Sequence, residues 1–452
     1  MSFDVGTTGA FARAMRTFLR SLLLLGATGC AASASHDDAG AASADVTASA
    51  EVALAADLPD HCHDPEVVRI SRPISSTRTD RGTFEWGFRY RAPSAPGMPT
   101  IVYLPGGPGQ GSMEAGAAFV PPEWGYLMTD PRGIGCNRLA SVPAGEDASQ
   151  FFRTSELAGD VIAAIEERGL TNYVLFGISY GTALGTTVAH RLEAEHLPAP
   201  KAVVLEGVLG KAFGSSDSDF AGENYIAQFE RIRSVLPPDV LEELDTSPKP
   251  FGLTPEQITR AMMGLMPGAI GIAGMRLYSL SKTAEGITEE MRTESLQVLT
   301  EMGNHTQLSS PSEVALYRYI ACREIMDTVP ASDMDVLFSA GHLVRNRPDE
   351  GTKCRELHVT NPYDSAKLQF NTKVYYFIGD QDVATPPWQG NYHFQHHEGS
   401  AVKLITTKGG HNSLEFNQAR CAPALMQSIA DGGSDLEAAI STCPLPITVE
   451  KK

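Results

Sequence analysis

Ser179 lies at the centre of Gly177-Ile178-Ser179-Tyr180-Gly181, directly after the apolar run Tyr173-Val174-Leu175-Phe176. A serine hydroxyl can serve as a nucleophile when a sharp turn between a strand and a helix presents it to a substrate. Glycines flank such a turn because a Cβ there would collide with neighbouring elements. Alone the pentapeptide is weak, since glycine and serine are common enough to produce it by chance in a chain of 452 residues. The competing reading is a serine that merely caps the following helix. A second stretch, Pro105-Gly106-Gly107-Pro108-Gly109-Gln110-Gly111-Ser112, follows the apolar Ile101-Val102-Tyr103-Leu104. A loop this poor in side chains lets backbone N–H groups reach a developing oxyanion, as acyl transfer requires. Gly107 and Tyr180, the residue after the nucleophile, are the expected N–H pair. Gly106 and Gly111 have the spacing of a phosphate-binding loop, but Ser112 follows without the lysine that such a loop needs. A plain Gly/Pro turn is the remaining alternative.

A nucleophilic serine needs a base, and the base needs an orienting acid. The apolar run Lys373 to Gly379 leads into Asp380-Gln381-Asp382-Val383-Ala384-Thr385-Pro386, and Val402 to Thr406 leads to Gly409-Gly410-His411. His411 is the expected base. His61 and His63 flank a cysteine near the N-terminus, while His393, His396 and His397 crowd a polar stretch with no strand before them. Serine, acid and histidine, in that order and each after a strand, would gather at the carboxyl edge of one sheet.

The elements that must position them follow from periodicity. Ser155 to Arg168 reads as an amphipathic helix with Leu157, Val161, Ile162 and Ile165 on one face. Thr182 to Leu192 reads as a helix of small and apolar residues, and Lys201 to Gly207 as a neighbouring parallel strand. Between Gly210 and Tyr363 strand-like alternation stops, and helical patterns replace it at Thr254 to Met266, Thr288 to Met302 and Ser312 to Thr328. The expected fold is α/β, a mostly parallel central sheet flanked by helices, with an inserted helical cap. Its expected divisions are a core in two parts, residues 59–210 and 363–452, and the cap between them at 211–362.

With these motifs in order, the chain resembles the α/β-hydrolase family of proline iminopeptidases and tripeptidyl aminopeptidases, over residues 80–450. Four landmarks carry the resemblance: Pro105-Gly106-Gly107-Pro108-Gly109, Asp130-Pro131-Arg132-Gly133-Ile134-Gly135, the elbow at Ser179, and Gly379 to Pro386 with Gly410-His411. Proline iminopeptidases usually carry histidine before the glycine pair. Pro105 stands there instead, which resembles the tripeptidyl-aminopeptidase branch and argues against strict proline specificity. The resemblance implies an α/β-hydrolase fold, a serine peptidase acting on free N-termini, and no cofactor. It assigns the acid to Asp382, the aspartate closely preceding Thr385-Pro386, rather than Asp380. An aminopeptidase must also hold the substrate ammonium with a carboxylate. Glu324, two residues after Cys322, stands where related aminopeptidases often have an acid. Glu206, at the end of its strand, is the second candidate, and for each a structural or surface role is the alternative.

The N-terminus reads as an export signal: Arg13, Arg16 and Arg20 precede Leu22-Leu23-Leu24-Leu25 and Gly26-Ala27-Thr28-Gly29-Cys30. Residues 1–30 resemble a bacterial lipoprotein signal with Cys30 lipidated, so the membrane would be a partner only through a lipid anchor. The alternative is ordinary secretion with cleavage after Ala32-Ser33-Ala34, and Met15 is an alternative start. Residues 31–58, rich in Ala, Ser and Asp, would be a disordered tether. Setting Cys30 aside leaves six of the seven cysteines, an even number for an oxidising compartment. The expected pairs are Cys62–Cys136, Cys322–Cys354 and Cys421–Cys443. A metal site at His61-Cys62-His63 is disfavoured because no second cluster at ligand spacing accompanies it.

A formal charge of −18 with no Lys/Arg-rich block argues against nucleic acid as a partner, while the resemblance implies a peptide substrate. Three functions remain: an exopeptidase acting on free N-termini, a carboxylesterase or lipase-like hydrolase using the same triad, and a non-catalytic binding lipoprotein that keeps the fold.

Overall fold

A computed structural model describes residues 53–114, 120–143, 145–213, 221–304, 311–325, 336–345 and 361–452. The expected signal segment with Cys30, most of the tether, and Cys354 lie outside the described residues. Eleven strands are described: β1 (Val67–Pro73), β2 (Thr83–Arg91), β3 (Thr100–Leu104), β4 (Gly125–Thr129), β5 (Tyr173–Ile178), β6 (Ala202–Glu206), β7 (Val336–Ser339), β8 (His342–Arg345), β9 (Val374–Gly379), β10 (Ala401–Thr406) and β11 (Ile447–Lys451).

Nine of them form one sheet in the order β1-β2-β4-β3-β5-β6-β9-β10-β11. The six inner strands, β4 to β10 in that order, pair in parallel, and β1, β2 and β11 add antiparallel edges. Every residue of β5, β6 and β9 is buried, which is why these strands read as unbroken apolar runs rather than alternating ones. Register aligns their carboxyl ends: Leu104 opposes Gly177, Ile178 opposes Glu206, and Glu206 opposes Phe377.

Described helices are α1 (Gly145–Phe151), α2 (Thr154–Glu167), α3 (Tyr180–Ala194), α4 (Ala221–Arg233), α5 (Pro238–Thr246), α6 (Pro255–Leu265), α7 (Ile270–Tyr278), α8 (Glu289–Asn304), α9 (Pro311–Ile320), α10 (Pro387–His396), α11 (Ala422–Ala430) and α12 (Leu436–Ser441). Leu157 and Val161 of α2 and Leu184 and Val188 of α3 pack with Val102 and Leu175 on one sheet face. Leu425 and Ile429 of α11 pack with Ile101, Val174 and Phe176 on the other. This is the alternation that a two-residue side-chain period imposes on a covered sheet. No described helix is long and apolar enough to cross a membrane.

Between β6 and β9 the chain is largely helical, and it buries a separate apolar cluster that includes Phe229, Leu244, Met262, Leu277 and Leu299. Helix α6 opens on a capping box, with Thr254 and Gln257 each satisfying the other's backbone N–H. Two features differ from the sequence expectation. Residues 336–345 form a β7–β8 hairpin whose turn places Ala340 and Gly341 at positive φ (46° and 78°), the conformation that closes a two-residue hairpin. Helix α9 passes into a π-turn at Ala321–Ile325, which carries Glu324.

Disulfides join Cys62 to Cys136 and Cys421 to Cys443. Cys322 is also disulfide-bonded. The sulfurs of Cys62 and Cys136 lie close to a His61 ring nitrogen, but their disulfide removes both thiolates that a metal would use.

Candidate active site

β5 is apolar and buried to its last residue, and the chain must then reverse into α3 within one residue. Ser179 makes that reversal at φ 56° and ψ −125°, a conformation costly for a residue with a Cβ. Glycine at 177 and 181 is required by space. A Cβ on Gly177 would overlap the Gly181 carbonyl, and one on Gly181 would overlap the Leu104 carbonyl at the end of β3. The turn is held from the neighbouring strand, since Ser179 N–H donates to the Glu206 carbonyl at 2.9 Å.

The glycine-rich loop after β3 lies against this turn: a Cβ on Gly106 would stand 2.9 Å from the Ser179 Cβ. Gly107 adopts φ 110°. Tyr180, as the first residue of α3, has a first-turn N–H for which the helix itself supplies no carbonyl. Asp130 braces the far end of the loop, accepting the N–H of Ser112 at 2.7 Å, of Met113 at 3.0 Å and of Cys136 at 2.9 Å. Burial raises its pKa against those three hydrogen bonds.

His411 and Asp382 meet over the same edge. His411 Nδ1–H donates to Asp382 at 2.8 Å to Oδ2 and 3.0 Å to Oδ1. Asp382 is fixed in turn by the N–H groups of Ala384 (2.8 Å) and Thr385 (2.9 Å) and by the Thr385 hydroxyl (2.8 Å). Asp380 is exposed. The His411 ring rests on the residue after β6, because a Cβ on Gly207 would stand 2.6 Å from its Cε1 and 2.7 Å from its Nδ1. Ser179 and His411 are therefore both seated on the Glu206-Gly207 peptide, one on the carbonyl and the other on the glycine. Two contacts come from the segment between β6 and β9: His411 N–H donates to the Pro267 carbonyl at 2.6 Å, and Asn224 Nδ2 donates to the Asp382 carbonyl at 2.7 Å.

The sequence model described as the alpha/beta hydrolase fold matches residues 99–418. The chain belongs to the alpha/beta hydrolase family. No curated protein matches it. Among solved structures it is similar to a proline iminopeptidase from Mycobacterium smegmatis at 12% identity and a TM-score of 0.37, covering 82% of this chain and 98% of that one. It is similar to a thermophilic esterase from Thermogutta terrifontis at 14% identity and a TM-score of 0.41, covering 81% and 100%. It is similar to a bromoperoxidase from Bacillus anthracis at 15% identity and a TM-score of 0.40, covering 80% and 100%.

In this α/β hydrolase the two further carboxylates sit differently. Glu324 accepts the Thr154 N–H at 3.1 Å and the Thr154 hydroxyl, and that hydroxyl meets the Tyr180 hydroxyl at 2.8 Å. The three form a chain from the π-turn to the elbow. Burial raises the Glu324 pKa despite the Thr154 hydrogen bonds. Glu206 is fully buried, and its Oε1 accepts the N–H of Leu414 at 2.5 Å and of Glu415 at 3.0 Å. His393, passed over as a base, is buried between Thr186 and Tyr376, with one ring nitrogen 2.9 Å from each hydroxyl.

Sequence reasoning missed Thr385, Thr154, Glu415 and Tyr103. An Asp-x-x-Thr spacing at Asp382 is a legible signal for Thr385, since an aspartate side chain readily takes backbone and hydroxyl donors two and three residues on. The other three carry no local signal.

Proposed function

We propose that this α/β hydrolase is a serine hydrolase that releases residues from the free N-termini of peptides through an acyl-enzyme. The reading rests on the Asp382–His411 hydrogen bond and on the Glu206-Gly207 peptide, which bears both the His411 ring and the Ser179 elbow. Ser179 Oγ attacks the substrate carbonyl carbon while His411 Nε2 takes its proton, and Asp382 holds the ring through Nδ1 and offsets the imidazolium charge. The oxyanion is received by the N–H groups of Gly107 and Tyr180, the latter at a helix N-terminus where negative charge is favoured. His411 then protonates the leaving amine, and water repeats the sequence on the ester. Supporting the exopeptidase reading is Glu324, a carboxylate supplied next to the elbow by the segment between β6 and β9. The reading also has the protein exported, with peptide as its partner and Cys30 as the anchor point, and its disulfides suit an oxidising compartment.

A second reading, carboxylesterase, is favoured by one observation. Both Glu324 oxygens are already engaged by Thr154, which leaves the carboxylate less to offer an ammonium. Substrate comparison separates the two. The exopeptidase cleaves free-amine peptide amides at least about tenfold faster in kcat/KM than their N-acetylated forms, the size of one charge-assisted hydrogen bond, and Glu324→Gln narrows that gap. Equal rates on blocked and free substrates, with faster turnover of simple acyl esters, select the carboxylesterase. A serine-reactive fluorophosphonate that fails to label Ser179 overturns both.

A further inference from the structure

The two loops that carry Ser179 and His411 meet on one residue, Glu206, and the inference rests on the serine-hydrolase reading of that pair. Glu206 ends β6, its carbonyl accepts the Ser179 N–H at 2.9 Å, and the following glycine underlies the His411 ring. Its side chain reaches the other loop. Oε1 accepts the N–H groups of Leu414 and Glu415, which open the π-turn Ser413–Asn417 immediately after His411. First-turn N–H groups have no partner within their own helix, so an acceptor supplied from outside fixes where that turn begins.

We propose that Glu206 is a positioning residue that locks the His411 loop to the Ser179 strand, and that it does so by the reach of one oxygen rather than by charge. It is not a ligand for the substrate amine. The side chain has no exposed surface, and Oε1 is committed to the two backbone donors. The other oxygen, Oε2, is buried without a hydrogen-bond partner. The charged and titratable groups around it are Glu415 on the π-turn, which Asn412 and Tyr103 hold, and Asp382 on the loop after β9. Burial, and then the Glu415 carboxylate, push the Glu206 pKa well above the usual carboxylate range. A neutral carboxyl still offers a carbonyl oxygen to Leu414 and Glu415. Glutamine offers the same oxygen at the same distance, and its amide takes the place of the second oxygen beside Glu415. Aspartate keeps the acid but falls one methylene short.

The test compares Glu206→Gln, Glu206→Asp and Glu206→Ala in the full chain. The readouts are kcat, KM, the rate of fluorophosphonate labelling at Ser179, and the low-field Nδ1 proton resonance of His411. Glu206→Gln is expected within about threefold of wild type in kcat, and Glu206→Asp and Glu206→Ala lose about tenfold or more in kcat and labelling with KM within about twofold. The His411 resonance should persist in the glutamine variant and broaden in the other two. Aspartate outperforming glutamine overturns the proposal, since charge would then be what counts. A folded Glu206→Ala with wild-type kcat and resonance overturns it as well. Should Glu206→Ala not fold, the aspartate and glutamine pair decides. Should wild type resist labelling at Ser179, the hydrolase reading fails separately, and the resonance in glutamine against aspartate still decides the positioning role.

Discussion

Asp382 receives the Nδ1–H of His411 on both of its oxygens, whereas Asp380, two residues earlier at the end of the same strand, is exposed. Asp382→Asn is therefore expected to lower kcat by about three to four orders of magnitude, because an amide at that position holds the ring in the wrong tautomer. Asp380→Asn should stay within about threefold of wild type. Steady-state kinetics of the two variants check this, and a larger loss at Asp380 would reassign the acid.

Arg132 has no exposed surface, yet it is fully partnered. Its guanidinium pairs with Asp160 at 2.6 and 2.8 Å, donates to the Ile74 carbonyl at 2.9 Å, and lies 5.0 and 4.8 Å from the Phe84 and Phe151 ring centres. Without Arg132, buried Asp160 keeps only Arg72, at 3.0 Å, as a cationic partner among the described residues, so Arg132→Met should cost about 3 kcal/mol in urea unfolding. Combining it with Asp160→Leu should recover only part of that loss, since it removes the under-compensated carboxylate but leaves the half-buried Arg72 without its partner.

His393 should make the fold acid-sensitive. Burial, and then His397, depress its pKa to about 3, and His397 is itself depressed to about 4, mainly by burial. The unfolded chain binds these protons near pH 6.5 and the folded chain does not, so stability rises with pH across this window and is lost as pH falls below about 6.5. From His393 alone the loss reaches roughly 3 kcal/mol by pH 4. Urea midpoints measured from pH 4 to 7 should show a shallower slope in His393→Gln than in wild type. An unchanged slope would mean that His393 is charged in the folded state.

The disulfides close loops of different length, with separations of 22 residues for Cys421–Cys443 and 74 for Cys62–Cys136. On chain entropy, replacing the first pair by alanine should cost about 3 kcal/mol and the second about 4–5 kcal/mol. Unfolding of the two double variants gives the comparison, and the reverse ranking would point to native-state strain or residual unfolded structure.

Much of the Ser179, Asp382 and His411 neighbourhood was legible because each member follows a largely buried strand, and such strands appear in sequence as short, mostly apolar runs. The resemblance, rather than the pattern, separated Asp382 from Asp380. Helices α6 and α8 were legible from their periodicity and from Thr254 and Thr288 ahead of them. The β7–β8 hairpin was not, because its turn is Ala340-Gly341 rather than an asparagine or aspartate pair, and its strands are four residues each. Edge strands β1, β2 and β11 escaped for a related reason: half-exposed strands mix charged and apolar residues and lose the run that marks a central strand. The clasp between Glu206 and Leu414 joins positions 208 residues apart, and no local pattern can announce such a pair.

The hydrogen bond from His411 to the Pro267 carbonyl changes what the segment between β6 and β9 is in engineering terms. Asn417 reaches the adjacent Gly268 carbonyl at 3.1 Å, and Asn224 holds the backbone of Asp382. The same stretch thus supplies scaffolding for His411 and Asp382. It cannot be exchanged like an interchangeable lid. A chimera carrying a relative's insertion would inherit new selectivity only if it also reproduced the turn at 267–268 and the amide at 224. Laboratory evolution of specificity in this chain should accordingly favour substitutions inside the insertion over wholesale replacement of it.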